Sequence, residues 1–226
     1  MIYAIGDIHG RLDCLERLLA TIFAEADPGR TVLVFLGDYI DRGPQSRGVV
    51  EGLMLVQGLF ETRLLRGNHD QSLLNFLSDP SAGPAWCDFG GRETLASYGV
   101  AAPALRGDAQ GWVTASEDLA QSMPAEHLAF FRNLETSASY GDYFFCHAGA
   151  RPGVPLGAQS DEDLMWIRDA FLRDARPFEQ VIVHGHTPEP AVHIDRRRIG
   201  IDTGAYATGV LSAIRLEGAE RTVRSS

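Results

Sequence analysis

Residues 31–43 read TVLVFLGDYIDRG. The apolar run after Thr31, bounded by Gly37, predicts a short buried strand. Directly behind it Asp38, Asp41 and Arg42 are packed between Gly37 and Gly43. In open α/β sheets the ligand lies beyond the carboxyl ends of the strands. Two carboxylates and a guanidinium at this strand end therefore point to a binding crevice rather than to a core.

The same arrangement recurs along the chain. MIYAI leads into RLDCLERLLATIFAEA, where Leu12, Leu15, Leu18, Leu19 and Ile22 recur at helical spacing. TVLVFL is followed by SRGVVEGLMLVQGLF, and TRLL by DQSLLNFLS. Strand, helix and strand at about 30-residue intervals is the rhythm of βαβ units with parallel strands. Each strand stops at a polar cluster: GDIHG (6–10), GDYIDRG (37–43) and GNHD (67–70). Residues 79–140 break the rhythm with Pro, Gly, Trp and mixed polarity, and read as a partly helical insertion, a candidate lid, within one domain spanning 1–226. YFFCHAG and QVIVHGHTP read as later strands, and AVHID, RRIGIDTG and GVLSAIRLE as a terminal series with hairpin spacing.

Composition narrows the class. At 226 residues, 45% apolar and 22% charged, the chain is expected to form one ordinary globular domain. No apolar run approaches the roughly 18 residues of a membrane helix, and MIYAIGD lacks the basic start of a signal peptide, so a cytoplasmic location is expected. Cys14, Cys87 and Cys146 are an odd number without metal-ligand spacing, which predicts reduced, buried thiols. A net charge of −10 argues against a nucleic-acid surface. All 20 basic residues are arginines, so any side-chain clamp on phosphate must be Arg.

Convergence of the strand ends would bring together Asp7, His9, Asp38, Asn68, His147 and His186. This carboxylate, imidazole and amide set without thiolate suits Mn²⁺, Fe or Zn²⁺. Six ligands exceed what one catalytic ion with an open position needs, so two ions sharing Asp38 are the better count. A lone Asp after a strand is more often a turn residue, and a lone His more often a hydrogen-bonded core group. Five such clusters in order, each at a strand end and flanked by glycine, are not explained as turns.

GDIHG, GDYIDRG, GNHD, FCHAG and HGHTP together resemble the five signature blocks of the calcineurin-like metallophosphoesterases. The resemblance is to the phosphoprotein phosphatase branch, with its bacterial and lambda-type serine/threonine phosphatases, and GIDTGAY (200–206) extends it. It implies an α/β (α+β) fold, a two-sheet mixed β-sandwich flanked by helices, with two divalent ions, Mn²⁺ foremost and Fe or Zn²⁺ as alternatives. By this resemblance Asp7 and His9 hold the first ion, Asp38 bridges, and Asn68, His147 and His186 hold the second. A hydroxide shared by the ions would attack phosphorus in line. His69 would be the general acid, Asp41 would orient it and keep it protonated, and Arg42 would hold a phosphoryl oxygen. The second phosphate-binding arginine is expected at Arg168 in DLMWIRDAF, with Arg92 as the competitor.

His184 reads as a packing residue, because family spacing puts the ligand at His186. Pro188 stands where the wider superfamily carries the last His of GHxH, which fits the phosphoprotein phosphatase branch. Asp70 occupies a place where protein phosphatases more often show Glu, and GNHD is also the form of bacterial diadenosine tetraphosphatases. The expected function is a metal-dependent phosphomonoesterase of the serine/threonine protein phosphatase type, acting on a phosphorylated protein or a small phosphate ester, because the symmetrical tetraphosphatases typically lack an Asp at position 41. The alternatives are a symmetrical diadenosine tetraphosphatase, a phosphodiesterase and a non-catalytic metal-binding module.

Overall fold

The computed structural model describes residues 1–218 and 220–226. Its strands are β1 (Ile2–Ile5), β2 (Val32–Phe35), β3 (Glu61–Leu64), β4 (Ser137–Tyr140), β5 (Tyr143–Cys146), β6 (Val181–His184), β7 (His193–Ile194), β8 (Arg198–Gly200), β9 (Ser212–Glu217) and β10 (Glu220–Ser225). They form two five-stranded sheets, ordered β10-β9-β1-β2-β3 and β4-β5-β6-β8-β7. Both are mixed: β1, β2 and β3 run parallel with β9 antiparallel to β1, and β5, β6 and β8 run parallel with β4 and β7 antiparallel at the edges.

Period-2 alternation makes the sandwich. Tyr3, Ile5, Leu33 and Phe35 face α1 (Leu12–Glu25) and α2 (Ser46–Gln57) in one apolar cluster. Their neighbours Ala4, Val34 and Leu36 turn the other way and meet Phe145, Val183, Ile199 and Ile214 between the sheets. Phe144, Cys146 and Ile182 face outward from the second sheet onto α8 (Asp161–Trp166) and α9 (Asp169–Leu172). Each fully buried side chain of the size of Phe35 or Phe145 contributes roughly 1.5–3 kcal/mol.

Two expectations need correction. The terminal series is not one run of hairpins: β7 and β8 pair antiparallel, but α10 (Ala205–Thr208) follows and β9 crosses to the first sheet, between β1 and β10. The alternation of β9 requires this, since Ala213 packs on the helix side and Ile214 between the sheets. The segment 79–140 is also not wholly insertion. Its helices α4 (Gly83–Trp86), α5 (Arg92–Ser97), α6 (Ala109–Ser122) and α7 (Ala125–Arg132) end before β4, which pairs with β5 and belongs to the sandwich.

The three cysteines are buried and unpaired. Among the described residues no helix is long and apolar enough to cross a membrane.

Candidate metal centre and active site

The strands of both sheets deliver their polar clusters to one place. Asp7 and His9 follow β1, Asp38 follows β2, and Asn68 and His69 open α3 (Asn68–Ser78) after β3. His147 follows β5 and His186 follows β6. All seven are buried. The loops are strained to bring them there. The non-glycine residues with positive φ among the described residues are His9 (48°), Asp38 (54°), Asp41 (71°), Arg42 (68°) and His186 (63°). Such conformations persist where the surroundings over-determine them, typically at functional sites.

Asp38 is the hub. Its Oδ2 lies 3.5 Å from His9 Nε2 and 3.4 Å from His147 Nε2. Two donor groups share it, His9–Asp38–His69 and Asp38–His147–His186, with the donor atoms of each within 4.8 Å of one another. Asn68 joins the second group, its Oδ1 being 2.9 Å from His147 Nε2. Asp7 also makes a contact between loops. Its carboxylate accepts the His186 backbone N–H at 3.0 and 3.2 Å and so ties the β1 loop to the β6 loop. This approach requires Gly185, where a Cβ would sit 2.0 Å from Asp7 Oδ1.

The second layer aims the ligands. His9 Nδ1 meets the Ile40 carbonyl at 2.9 Å and His147 Nδ1 meets that of Leu36 at 2.8 Å. Each imidazole donating Nδ1–H in this way turns Nε2 toward Asp38, the orientation of a metal-ligating histidine. Asp70 receives the backbone N–H groups of Asp38 (2.8 Å), Tyr39 (3.1 Å) and Gly67 (2.9 Å), and thereby fixes the hub's main chain.

The electrostatics favour cations. Burial pushes His9 down to about 3 and His186 down to about 2, so both are neutral donors. Burial raises Asp38, but His147, His69 and His9 outweigh it and hold this carboxyl well below the usual range. Burial, with Asp202 nearby, holds Asp7 well above its ordinary value. His186 Nε2 is buried with no hydrogen-bond partner, a lone pair without a proton donor. Burial lowers His147, but the Asp38 and Asp7 carboxylates outweigh it and hold this imidazole up to about 10. The neutral imidazoles of His9 and His186, the shared Asp38 carboxylate and the orphan nitrogen fit two divalent cations.

His69 falls inside the first donor group, and its other nitrogen, Nδ1, is 2.7 Å from Asp41 Oδ2. Burial lowers its pKa, but the Asp38 and Asp41 carboxylates outweigh burial and hold it above the ordinary imidazole value. Arg42 Nη2 stands 3.1 Å from His69 Nε2, and its guanidinium lies 4.5 Å above the Tyr206 ring centroid. Above the donor groups opens a cavity of about 340 Å³, lined on its outer walls by Trp86, Phe89, Trp166, Arg42 and Arg168. Arg92 points away, donating to the Pro103 carbonyl at 3.2 Å on the exposed side of the insertion. His184 is buried behind the His186 loop, 3.1 Å from Arg198.

Sequence reasoning missed Trp86 and Thr94, which donate to Asp41 Oδ2 at 2.8 Å and Oδ1 at 2.6 Å. It also missed the anchoring by Asp70, although an acidic residue at the third position of α3 is a capping signal. Asp202 of the IDTG stretch is buried, accepts the Gly204 N–H at 2.8 Å and lies near enough to Asp7 to raise its pKa.

A two-sheet sandwich with a paired His/Asp donor set, arginines and an imidazole–carboxylate pair around one cavity defines a metal-dependent phosphoesterase. The sequence of the Calcineurin-like phosphoesterase family matches residues 1–212, and the chain belongs to that family of hydrolases. Among curated relatives it is similar to the symmetrical bis(5'-nucleosyl)-tetraphosphatase of Acidovorax sp. (strain JS42), 32% identical over 67% of this chain and 44% of the relative. It thus spans less than half of that protein. It is also similar to the asymmetrical bis(5'-nucleosyl)-tetraphosphatase PrpE of Anoxybacillus flavithermus (strain DSM 21510 / WK1), 25% identical over 95% of this chain and 90% of the relative. A crystal structure provisionally described as a diadenosine tetraphosphatase aligns with a TM-score of 0.70 at 22% identity, covering 99% of this chain and 92% of the other. A serine/threonine phosphatase from Saccharomyces cerevisiae aligns with a TM-score of 0.58 at 17% identity, covering 99% and 78%. At these identities the structures share the fold.

Proposed function

We propose that this chain hydrolyses dinucleoside polyphosphates, the reading that ranked second in the sequence, with two Mn²⁺ ions as the working pair. The observation that carries it is the cavity wall. Phe89 and Trp166 stand 66% and 49% exposed beside Arg42, Arg168 and the buried metal-ligating floor. These two rings line one cavity rather than being scattered singly over the surface, and a nucleobase has the flat π-face they match. The tetraphosphatases named above support the same substrate class.

Asp7, His9 and Asp38 would hold one ion, and Asp38, Asn68, His147 and His186 the other. When bound, such a pair supplies an activated hydroxide and neutralises phosphoryl charge. The chain's own residues do the rest. Arg42 and Arg168 take non-bridging oxygens, Arg42 through its planar fork. A phosphoryl oxygen that draws the guanidinium of Arg42 releases His69 Nε2 from its 3.1 Å contact, so that this nitrogen can carry the proton for the departing oxygen. Asp41 holds Nδ1 and keeps the ring turned.

A second reading, a serine/threonine phosphomonoesterase, is favoured by that same 2.7 Å Asp41–His69 contact, because an alkoxide needs protonation and a nucleotide phosphate leaves almost without it. One experiment separates the two: kcat/KM of Mn²⁺-loaded protein for diadenosine tetraphosphate, p-nitrophenyl phosphate and a phosphothreonine peptide. The dinucleotide is expected to lead, and a lead for the peptide overturns the proposal in favour of the second reading.

A further inference from the structure

The helical insertion, read from sequence as a candidate lid, grips the loop that carries Asp41 and Arg42. Asp41 is fully buried with a left-handed backbone (φ 71°), and Arg42 repeats that conformation (φ 68°). The insertion holds both. Thr94 Oγ1 donates to Asp41 Oδ1 at 2.6 Å and accepts the Asp41 backbone N–H at 2.9 Å, closing a ring around the residue. Ser46 Oγ, 3.0 Å from that hydroxyl, takes the same N–H at 3.1 Å. The Trp86 indole N–H donates at 2.8 Å to Oδ2, the oxygen that faces His69 Nδ1 at 2.7 Å. The Arg42 backbone N–H donates at 3.1 Å to the carbonyl of Gly90, where a Cβ would come within 2.5 Å of the Arg42 nitrogen.

A buried carboxylate can turn about its Cβ–Cγ bond unless both oxygens are engaged, and here each has a dedicated donor from outside its own loop. Trp86 is itself fixed, its ring centroid 5.1 Å from that of Phe76. We propose that Trp86 and Thr94 are positioning residues for leaving-group protonation: they lock the Asp41 carboxylate so that its Oδ2 holds the His69 ring with Nε2 toward the departing oxygen. The insertion is thus a brace for the acid, and Trp86, which also lines the cavity, places that brace beside the substrate. The inference rests on these contacts and concerns any ester whose departing oxygen must be protonated.

The test uses the full chain loaded with Mn²⁺ and two aryl esters, phenyl phosphate and p-nitrophenyl phosphate, which differ in how much protonation the leaving group needs. Trp86→Phe keeps a ring and deletes the N–H. Thr94→Val keeps the shape and deletes the hydroxyl, and Thr94→Ser restores it. The first two variants are expected to lower kcat for phenyl phosphate by about 10-fold while p-nitrophenyl phosphate loses less than about 3-fold. KM and bound metal stay as in the parent, and Thr94→Ser recovers most of the loss. Equal losses on both esters, no loss on either, or loss of metal in both Trp86→Phe and Thr94→Val would overturn the assignment, as would failure of Thr94→Ser to recover. Substrate preference for a dinucleotide or a phosphopeptide does not enter these readouts, so a failed function proposal and a failed brace are told apart.

Discussion

The strand-end loops and the helical insertion meet at Asp41, yet they contribute in opposite ways. The loops supply groups whose chemistry is visible in their type: carboxylates, imidazoles and an arginine, packed among glycines within a few residues. The insertion supplies an indole and a hydroxyl from 45 and 53 residues away, whose residue types are ordinary core and helix types. The lesson is that reactive groups are encoded locally, while the geometry that makes them work is encoded at a distance.

The largest effect should come from the loops. Asp38 is common to both donor groups, so Asp38→Asn removes the anionic charge that offsets repulsion between two cations. Turnover should fall by on the order of 10³-fold or more, with loss of at least one bound ion by metal analysis. An active Asp38→Asn protein holding two equivalents would remove the shared-carboxylate centre and with it the special status of the loops.

Next comes His69→Asn. Loss of the acid should slow phenyl phosphate hydrolysis by on the order of 10²-fold, and p-nitrophenyl phosphate markedly less. If both esters slow equally, His69 serves the metals, to whose first donor group it belongs, rather than the leaving group.

Asp41→Asn sharpens the boundary between the two regions. Burial lowers the His69 pKa and the Asp38 and Asp41 carboxylates raise it, with the net shift upward. Removing the Asp41 charge lowers it again. The protonated acid is lost as pH rises, so the alkaline limb of kcat should move to lower pH, with a loss of about 10-fold on phenyl phosphate at neutral pH that is recovered on acidification. An unmoved limb would mean that Asp41 matters as a strut alone.

These contrasts explain what was legible. The helix-flanked parallel units follow from βαβ spacing, a signal that resides within a few dozen residues, whereas the two-sheet sandwich is expected only through the resemblance of the five motif blocks. The convergence of Asp7, His9, Asp38, Asn68, His147 and His186 follows from where parallel strands end. The Trp86–Asp41–Thr94 bracket does not, because a tryptophan in a mixed helical stretch carries no mark of where its N–H points. Nor does the passage of β9 to the other sheet, which depends on which edge is left unpaired once the sandwich has closed. Arg168 was reachable only by register after the fourth block; it lines the cavity, while the Arg92 guanidinium meets Pro103.

The smallest effect probes the insertion's outer face, where binding and folding can be told apart. Phe89 lies in the segment Cys87–Gly91 and is 66% exposed, so Phe89→Ala removes little packed surface and should leave stability within about 0.5 kcal/mol of the parent. Stacking of a base on an aromatic ring is worth roughly 1–3 kcal/mol, so the same change should raise KM for diadenosine tetraphosphate by about 5-fold or more. The p-nitrophenyl ester presents a smaller ring held close to the reacting phosphorus, and its KM should move about 2-fold at most. Trp166→Ala on the opposite wall should act in the same direction, although the ring's 6.4 Å contact with His186 adds a cost in metal-site order that metal analysis can measure. A KM for the dinucleotide that ignores both changes would detach the aromatic wall from substrate and leave the insertion with one task, the bracing of Asp41.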